Sequence, residues 1–237
     1  MIKHLVTRPV VDHEPFVSEL KTMGRDVILF PVFDILFYPE DKLDLSNVQA
    51  ILITSANGVR ALCQNSNDFS FPVYCVGNSS AEAARDAGFE KVYSANGDVA
   101  DLAELVCENL PLGGGVLVHP AASKLAGDLG KILTAKGFCY QRKILYEAKA
   151  ITQLNFVVTN LIKSNNIKEI SFFSPRSSRT FSKLLKQEKL EDKLQGCRAY
   201  CLSPAVSKYL EDIKGMEVVA AEHPTRQSLL RLMAADK

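Results

Sequence analysis

"VYCVGNSSAEAARDAGF" (73–89) and "AYCLSPAVSKYLEDIKGM" (199–216) state one pattern twice. Each runs Tyr-Cys, one apolar residue, a small-residue turn, then a helical stretch that closes on Gly88 or Gly215. The surroundings repeat in the same order. "ILITSANGVRAL" (51–62) matches "ISFFSPRSSRTF" (170–181), and "KVYSANGDVADLAELV" (91–106) matches "EVVAAEHPTRQSLLRL" (217–232). Three strand–turn–helix units in one order predict two similar α/β domains, too few repeats for a solenoid.

The rest of the chain follows the same grammar. Apolar runs of strand length such as "HLVTRP", "DVILFPVF", "GVLVHP" and "CYQRKILYEAKA" alternate with helical patterns. Strands joined by crossover helices imply parallel sheets covered on both faces. Gly24, Gly88, Gly137 and Gly215 each stand just past a periodic stretch, as helix stops. The second half has no counterpart at its start for "HLVTRP" and "DVILFPVF", so these two strands are assigned to the sheet of the C-terminal half. One domain is then discontinuous, 1–36 with 147–237. The other is 37–146, and the two connectors side by side form a two-stranded hinge.

Composition bounds the function. The chain has 237 residues, 47% hydrophobic and 23% charged, with a net charge of +1. That balance gives no electrostatic case for nucleic acid or a membrane surface. No apolar run reaches the ~20 residues of a membrane span, and "MIKHLVTRPV" lacks the apolar core of a signal peptide. The six cysteines form no C-x-x-C pair and several lie in strand-like runs, which predicts reduced thiols and a cytoplasmic protein.

In open parallel sheets, ligands bind beyond the carboxyl ends of the strands, where helix N-termini present free N–H groups. The residues predicted there are Thr7 and Arg8; Thr54, Ser55 and Asn57; Gly77, Asn78, Ser79 and Ser80; Ser174, Pro175 and Arg176; Ser203; and Thr225. Any one of them is explained by N-capping alone. Their recurrence in both halves suggests a donor-rich cleft between the domains, suited to a polyanionic ligand. There is no G-x-G-x-x-G after the first strand, no Walker motif and no G-x-S-x-G elbow. His4, His13, His119 and His223 lack metal-ligand spacing and read as scattered structural or surface residues. Tyr146, on the return connector, is a candidate proton donor to a leaving group, or an aromatic packed at the hinge.

"LVTRP", "ILITSANGVRAL", "YCVGNSSAEAARDAGF", "LYEAKA", "FFSPRSSRTF" and "EHPTRQSLL", taken in order, resemble the uroporphyrinogen-III synthase family over nearly the whole chain. The resemblance implies two flavodoxin-like domains joined by a two-stranded linker, with the ligand cleft between them. It implies closure of the linear tetrapyrrole hydroxymethylbilane into uroporphyrinogen III, with ring D inverted and water lost, and without cofactor or metal. It assigns Tyr146 to hydroxyl departure. Ser80, Ser55, Ser174, Thr7, Arg8 and Thr225 fall on the family's cleft positions. It further implies a monomer that meets the preceding pathway enzyme only transiently. Two stretches depart from the pattern. The second-half turn reads Ser203, Pro204, Ala205, Val206, where relatives often have Gly and small hydroxyl residues. After "VLVHPAA" only Lys124 is offered, where relatives often carry Arg. The competing readings are a non-enzymatic two-domain binding protein for a polyanionic small molecule and a nucleotide-sugar enzyme of two Rossmann-like lobes.

Overall fold

The structure is a computed structural model that describes residues 2–39, 43–125 and 127–235. The chain begins with β1 (Ile2–Val6), α1 (Phe16–Thr22) and β2 (Arg25–Leu29). It continues through β3 (Phe33–Phe37), β4 (Val48–Ile53), α2 (Ala56–Asn65), β5 (Val73–Cys75), α3 (Asn78–Asp86) and β6 (Val92–Ser94). Then come α4 (Val99–Asn109), β7 (Val116–Ala122), α5 (Leu129–Ala135) and the long β8 (Cys139–Ala150). It ends with α6 (Phe156–Lys163), β9 (Glu169–Phe172), α7 (Pro175–Glu188), β10 (Arg198–Cys201), α8 (Pro204–Ser207), β11 (Glu217–Ala220) and α9 (Arg226–Ala235).

Two compact units result, Met1–Asp34 with Lys149–Lys237, and Ile35–Ala148. The first holds the sheet β2-β1-β9-β10-β11, in which every registered pair is parallel. The second holds β3-β8-β7-β4-β5-β6, parallel from β8 to β6. The β3–β8 pair is antiparallel: Tyr38 N–H bonds to the Leu145 carbonyl and Ile151 N–H to the Val32 carbonyl, one strand rising as the other falls.

The five strands of the first sheet match five of the six in the second, with β3 the one without a counterpart. β4, β5 and β6 fill the places of β9, β10 and β11, as the repeated segments predict, while β7 and β8 fill those of β1 and β2. The units are circular permutations of one layout, which is why the second half lacks two strands at its start. In each unit the chain steps outward on one side and then jumps back. The switch points therefore lie between β1 and β9 and between β4 and β7.

Alternation along β4 builds both cores of the second unit. Ile51 and Ile53 face Val59, Leu62 and Ala84 on one side, while Ala50 and Leu52 face Leu102, Val106 and Leu133 on the other. The first unit packs Val6, Phe16, Leu20, Tyr200, Leu229 and Met233. Gly24, Gly88, Gly137 and Gly215 all have positive φ, as helix stops require. One expected helix is short. After four residues of α8 the chain turns through i→i+3 bonds (Leu210 to Ser207, Ile213 to Leu210, Met216 to Ile213). Leu210, Ile213 and Met216 lie three apart, and this tighter winding stacks all three on the buried side.

All six cysteines are unpaired, and burial pushes the Cys75, Cys197 and Cys201 thiols up to about 12. No described helix is long and apolar enough to cross a membrane.

Two interior contacts set the fold's tolerances. Gly58 lies in α2 because a Cβ there would stand 2.7 Å from the Pro120 carbonyl of β7. In the first unit, Glu169 accepts from Arg25 Nε at 2.6 Å and Nη2 at 3.2 Å and contacts His4 Nδ1 at 2.8 Å, all three side chains buried. Arg25 also donates to the Met233 carbonyl near the end of α9, tying that helix to the sheet. Gly58→Ala should lower stability by about 1–3 kcal/mol in urea denaturation, since backbone rather than a flexible side chain must yield. Glu169→Leu should cost about 3–5 kcal/mol, because it leaves the Arg25 cation buried and unpaired. A loss under ~1 kcal/mol in the same titration would mean that water reaches Arg25.

Candidate functional site

The carboxyl edge of each sheet carries the residues singled out by sequence. In the first unit, Thr7 is buried and its hydroxyl donates to the Ser171 carbonyl at 2.7 Å, so it clasps β1 to β9 across the switch point. Arg8 lies over the Phe173 ring at 4.3 Å, and the exposed Arg176 over Phe33 at 4.7 Å. Ser174 caps α7, its Oγ accepting from Ser177 N–H, with Pro175 in the first turn. Thr225 Oγ1 accepts from Ser228 N–H at the start of α9. Ser203 precedes α8 with no side-chain cap bond.

In the second unit, Ser55 caps α2 by accepting from Asn57 N–H, and Asn57 Oδ1 accepts from Arg60 at 2.6 Å. Gly77 caps α3 in extended backbone, with nothing within 4 Å of where a Cβ would stand. Asn78 and Ser79 are exposed, and Asn78 bridges to Asn96. Ser80 lies one step further into the helix and is 4% exposed. The hydroxyl caps are thus already engaged by their own helices. A cap that accepts through a lone pair still has an O–H proton to give, and its position is fixed.

Tyr146 owes its placement to a β-bulge. The β7–β8 register passes from Ala121↔Ile144 to Ala122↔Tyr146, so one extra residue is accommodated in β8. Successive strand residues normally face opposite ways. Here Leu145 and Tyr146 are both buried, and Tyr146 packs with Ala61, Ala122 and Phe37. Bulges are frequent beside active sites because they re-aim a single side chain.

The structure also assembles a group that the sequence did not announce. The β4–β7 ladder is registered as far as Ile51↔Val118. Beyond it, His119 Nε2 meets Thr54 Oγ1 at 3.0 Å while Nδ1 meets the Tyr140 hydroxyl at 2.7 Å. Burial, with the Arg142 cation adding to it, lowers the His119 pKa to about 4, so the ring is neutral. Burial likewise pushes the Tyr140 phenol up to about 12. Arg142, the register partner of His119, reaches forward and donates through Nη2 to the Ala122 and Ser123 carbonyls at 2.6 and 2.7 Å. A guanidinium therefore stands at the strand end where the sequence offers only Lys124. Nothing in the local pattern of "CYQRK" marked this, since it depends on β8 lying beside β7.

A family model described as uroporphyrinogen-III synthase HemD matches residues 14–231. This chain belongs to the uroporphyrinogen-III synthase family. The porphyrin biosynthesis protein HemD of Ruminiclostridium josui is 25% identical over 96% of the chain and 47% of its own length, so the chain spans about half of that curated relative. A uroporphyrinogen-III synthetase from Helicobacter pylori superposes with a TM-score of 0.68 at 18% identity, covering all of both chains. A mutant uroporphyrinogen III synthase of the extremely thermophilic bacterium Thermus thermophilus gives 0.58 at 16% identity, over 99% of this chain and 98% of that one. These two likenesses establish the synthase fold.

The neutral His119 has a thermodynamic consequence. Its folded pKa lies below the unfolded value of 6.5, so above that pH it contributes no difference. Below it the unfolded chain binds a proton that the folded one refuses. Stability should fall by roughly 2–3 kcal/mol between pH 7 and 4.5 from this group. The buried His4, also lowered, adds to the same slope. Urea titrations across that range should show a shallower pH slope for His119→Gln than for the parent, whatever the variant's stability at pH 7.

Proposed function

We propose that this chain is a lyase that closes hydroxymethylbilane into uroporphyrinogen III with loss of water. The observation that carries the reading is family membership across residues 14–231. The carboxyl edge of each unit, taken by itself, offers groups that suit a substrate with many carboxylates: helix N–H groups and fixed hydroxyls in both, Arg8 and Arg176 in the first, Arg60 and Arg142 in the second.

The chemistry asks little of the protein in covalent terms. The pyrrole nitrogen lone pair expels the terminal hydroxyl, whose C–O bond breaks as Tyr146 delivers a proton, and water leaves. The resulting azafulvene is attacked by the substituted carbon of ring D. The spiro intermediate fragments and recloses with the ring inverted. The proton finally lost from the ring carbon restores the phenol, so donor and charge balance. No step calls for a metal or an organic cofactor, because the substrate provides its own electron push. Unguided closure uses the unsubstituted carbon and gives the uninverted isomer. Positioning is therefore the main contribution, and it draws on caps already held by their own helices.

The deciding assay generates hydroxymethylbilane in situ, adds the protein, oxidises the products and separates uroporphyrin isomers. Predominance of isomer III is expected. Isomer I alone, formed at the spontaneous rate by folded protein, would move the function to polyanion binding without catalysis. Tyr146→Phe should slow turnover on the order of 100-fold while leaving KM within about twofold, as for removal of a proton donor. Undiminished turnover would remove Tyr146 from the mechanism and leave the family assignment intact.

A further inference from the structure

We infer that Arg142 forms a carboxylate subsite at the carboxyl edge of the second unit, holding one acid arm of the substrate beside Tyr146; the inference rests on the synthase reading above. Four observations converge on it. Arg142 lies on β8, one strand over from the β4–β7 switch point, and its side chain reaches the carboxyl end of β7, the edge where open parallel sheets take their ligands. Its guanidinium is anchored from one nitrogen only, by the two carbonyls of Ala122 and Ser123. The Nε–H is buried with no hydrogen-bond partner, and no carboxylate among the described residues pairs with the cation. A buried, unaccepted Arg donor is costly, and an incoming carboxylate removes that cost with a charge-assisted bond.

Two groups that feel the Arg142 charge, His119 and Tyr140, are uncharged at neutral pH and bonded to each other, with Thr54 on the far side of the His119 ring; the Asp128 carboxylate is the negative group that also acts on Tyr140. The same turn that Arg142 grips is also held by Tyr146, whose carbonyl accepts from Ser123 N–H, and Ala122 packs against the cluster that Tyr146 forms with Ala61 and Leu145. A carboxylate held at Arg142 would therefore lie on the same Ala122–Ser123 turn that the Tyr146 backbone holds. Arg142 is a binding and positioning group here, with no proton to transfer.

The test uses the full chain. In the isomer assay, Arg142→Met should raise KM for hydroxymethylbilane about 10-fold or more with kcat within about twofold, and Arg142→Lys should recover part of the loss. Independently of activity, the Arg142 Nε–H resonance of the ¹⁵N-labelled parent should shift on titration with a pyrrole bearing one acetate and one propionate arm. The shift should be absent when both acids are esterified. An unchanged KM in folded Arg142→Met, or an Nε–H signal that does not move, would overturn the subsite. Should Arg142→Met fail to fold, the resonance titration of the parent decides alone. A shifting Nε–H in a parent that yields no isomer III would uphold the subsite and reject the synthase reading. Isomer III from the parent with no shift would do the reverse.

Discussion

A parallel ladder that parts at its carboxyl end must be closed by something other than backbone, and in the second unit that closure is the His119–Thr54 contact. β4 and β7 are the two central strands, and everything outward on either side is registered from them. Their hydrogen-bonded register ends at Ile51 and Val118. A neutral imidazole then spans the gap, meeting a hydroxyl on each side, Thr54 and Tyr140. Gly58 lets α2 settle against the Pro120 carbonyl over the same opening. Without that approach, Ala61 could not reach the Tyr146 cluster, and the bulge that turns Tyr146 inward would lack its packing partner. The site is thus a consequence of how two strands separate.

This constraint explains what the sequence disclosed and what it kept back. Strand, turn and helix were legible because each is local. The apolar runs have strand length, and the four helix-stop glycines all take the left-handed backbone that their position demands. The repeats were legible too, and they fill equivalent slots in the two sheets. Slot order was harder, because sequence order does not say which strands become neighbours. His119 and Tyr140 read as a stray histidine and an ordinary strand tyrosine. They become a group only when β7 lies between β4 and β8. His4 read as a scattered histidine, and parallel pairing of β1 with β9 buries it with Glu169 against Arg25. The bulge in β8 was invisible for the same reason, since register belongs to a pair of strands.

The hydroxyls predicted as ligand donors are a different case. Ser55, Ser174 and Thr225 do sit at helix starts, and each accepts from its own helix. Capping and binding are not rivals at such positions. A cap removes the rotational freedom that a free serine would lose on binding, and it leaves the other first-turn N–H groups facing outward. What a capped edge lacks is charge. For a ligand of many carboxylates, charge has to come from arginines that reach the edge from strands or helices.

Here the two permuted units diverge. At the first switch point the Thr7 hydroxyl is spent on the Ser171 carbonyl and buried, which closes β1 on β9 completely. At the second, the clasp is made by side chains alone, and Arg142 arrives from the neighbouring strand with donor capacity unspent. At the switch points themselves the chemistry is therefore unequal: in one the Thr7 hydroxyl is bonded to the strand backbone, and beside the other Arg142 grips the turn that Tyr146 also holds. The permutation uses one architecture twice, and the difference between Thr7 in one unit and His119 with Arg142 in the other gives equivalent slots distinct chemistry.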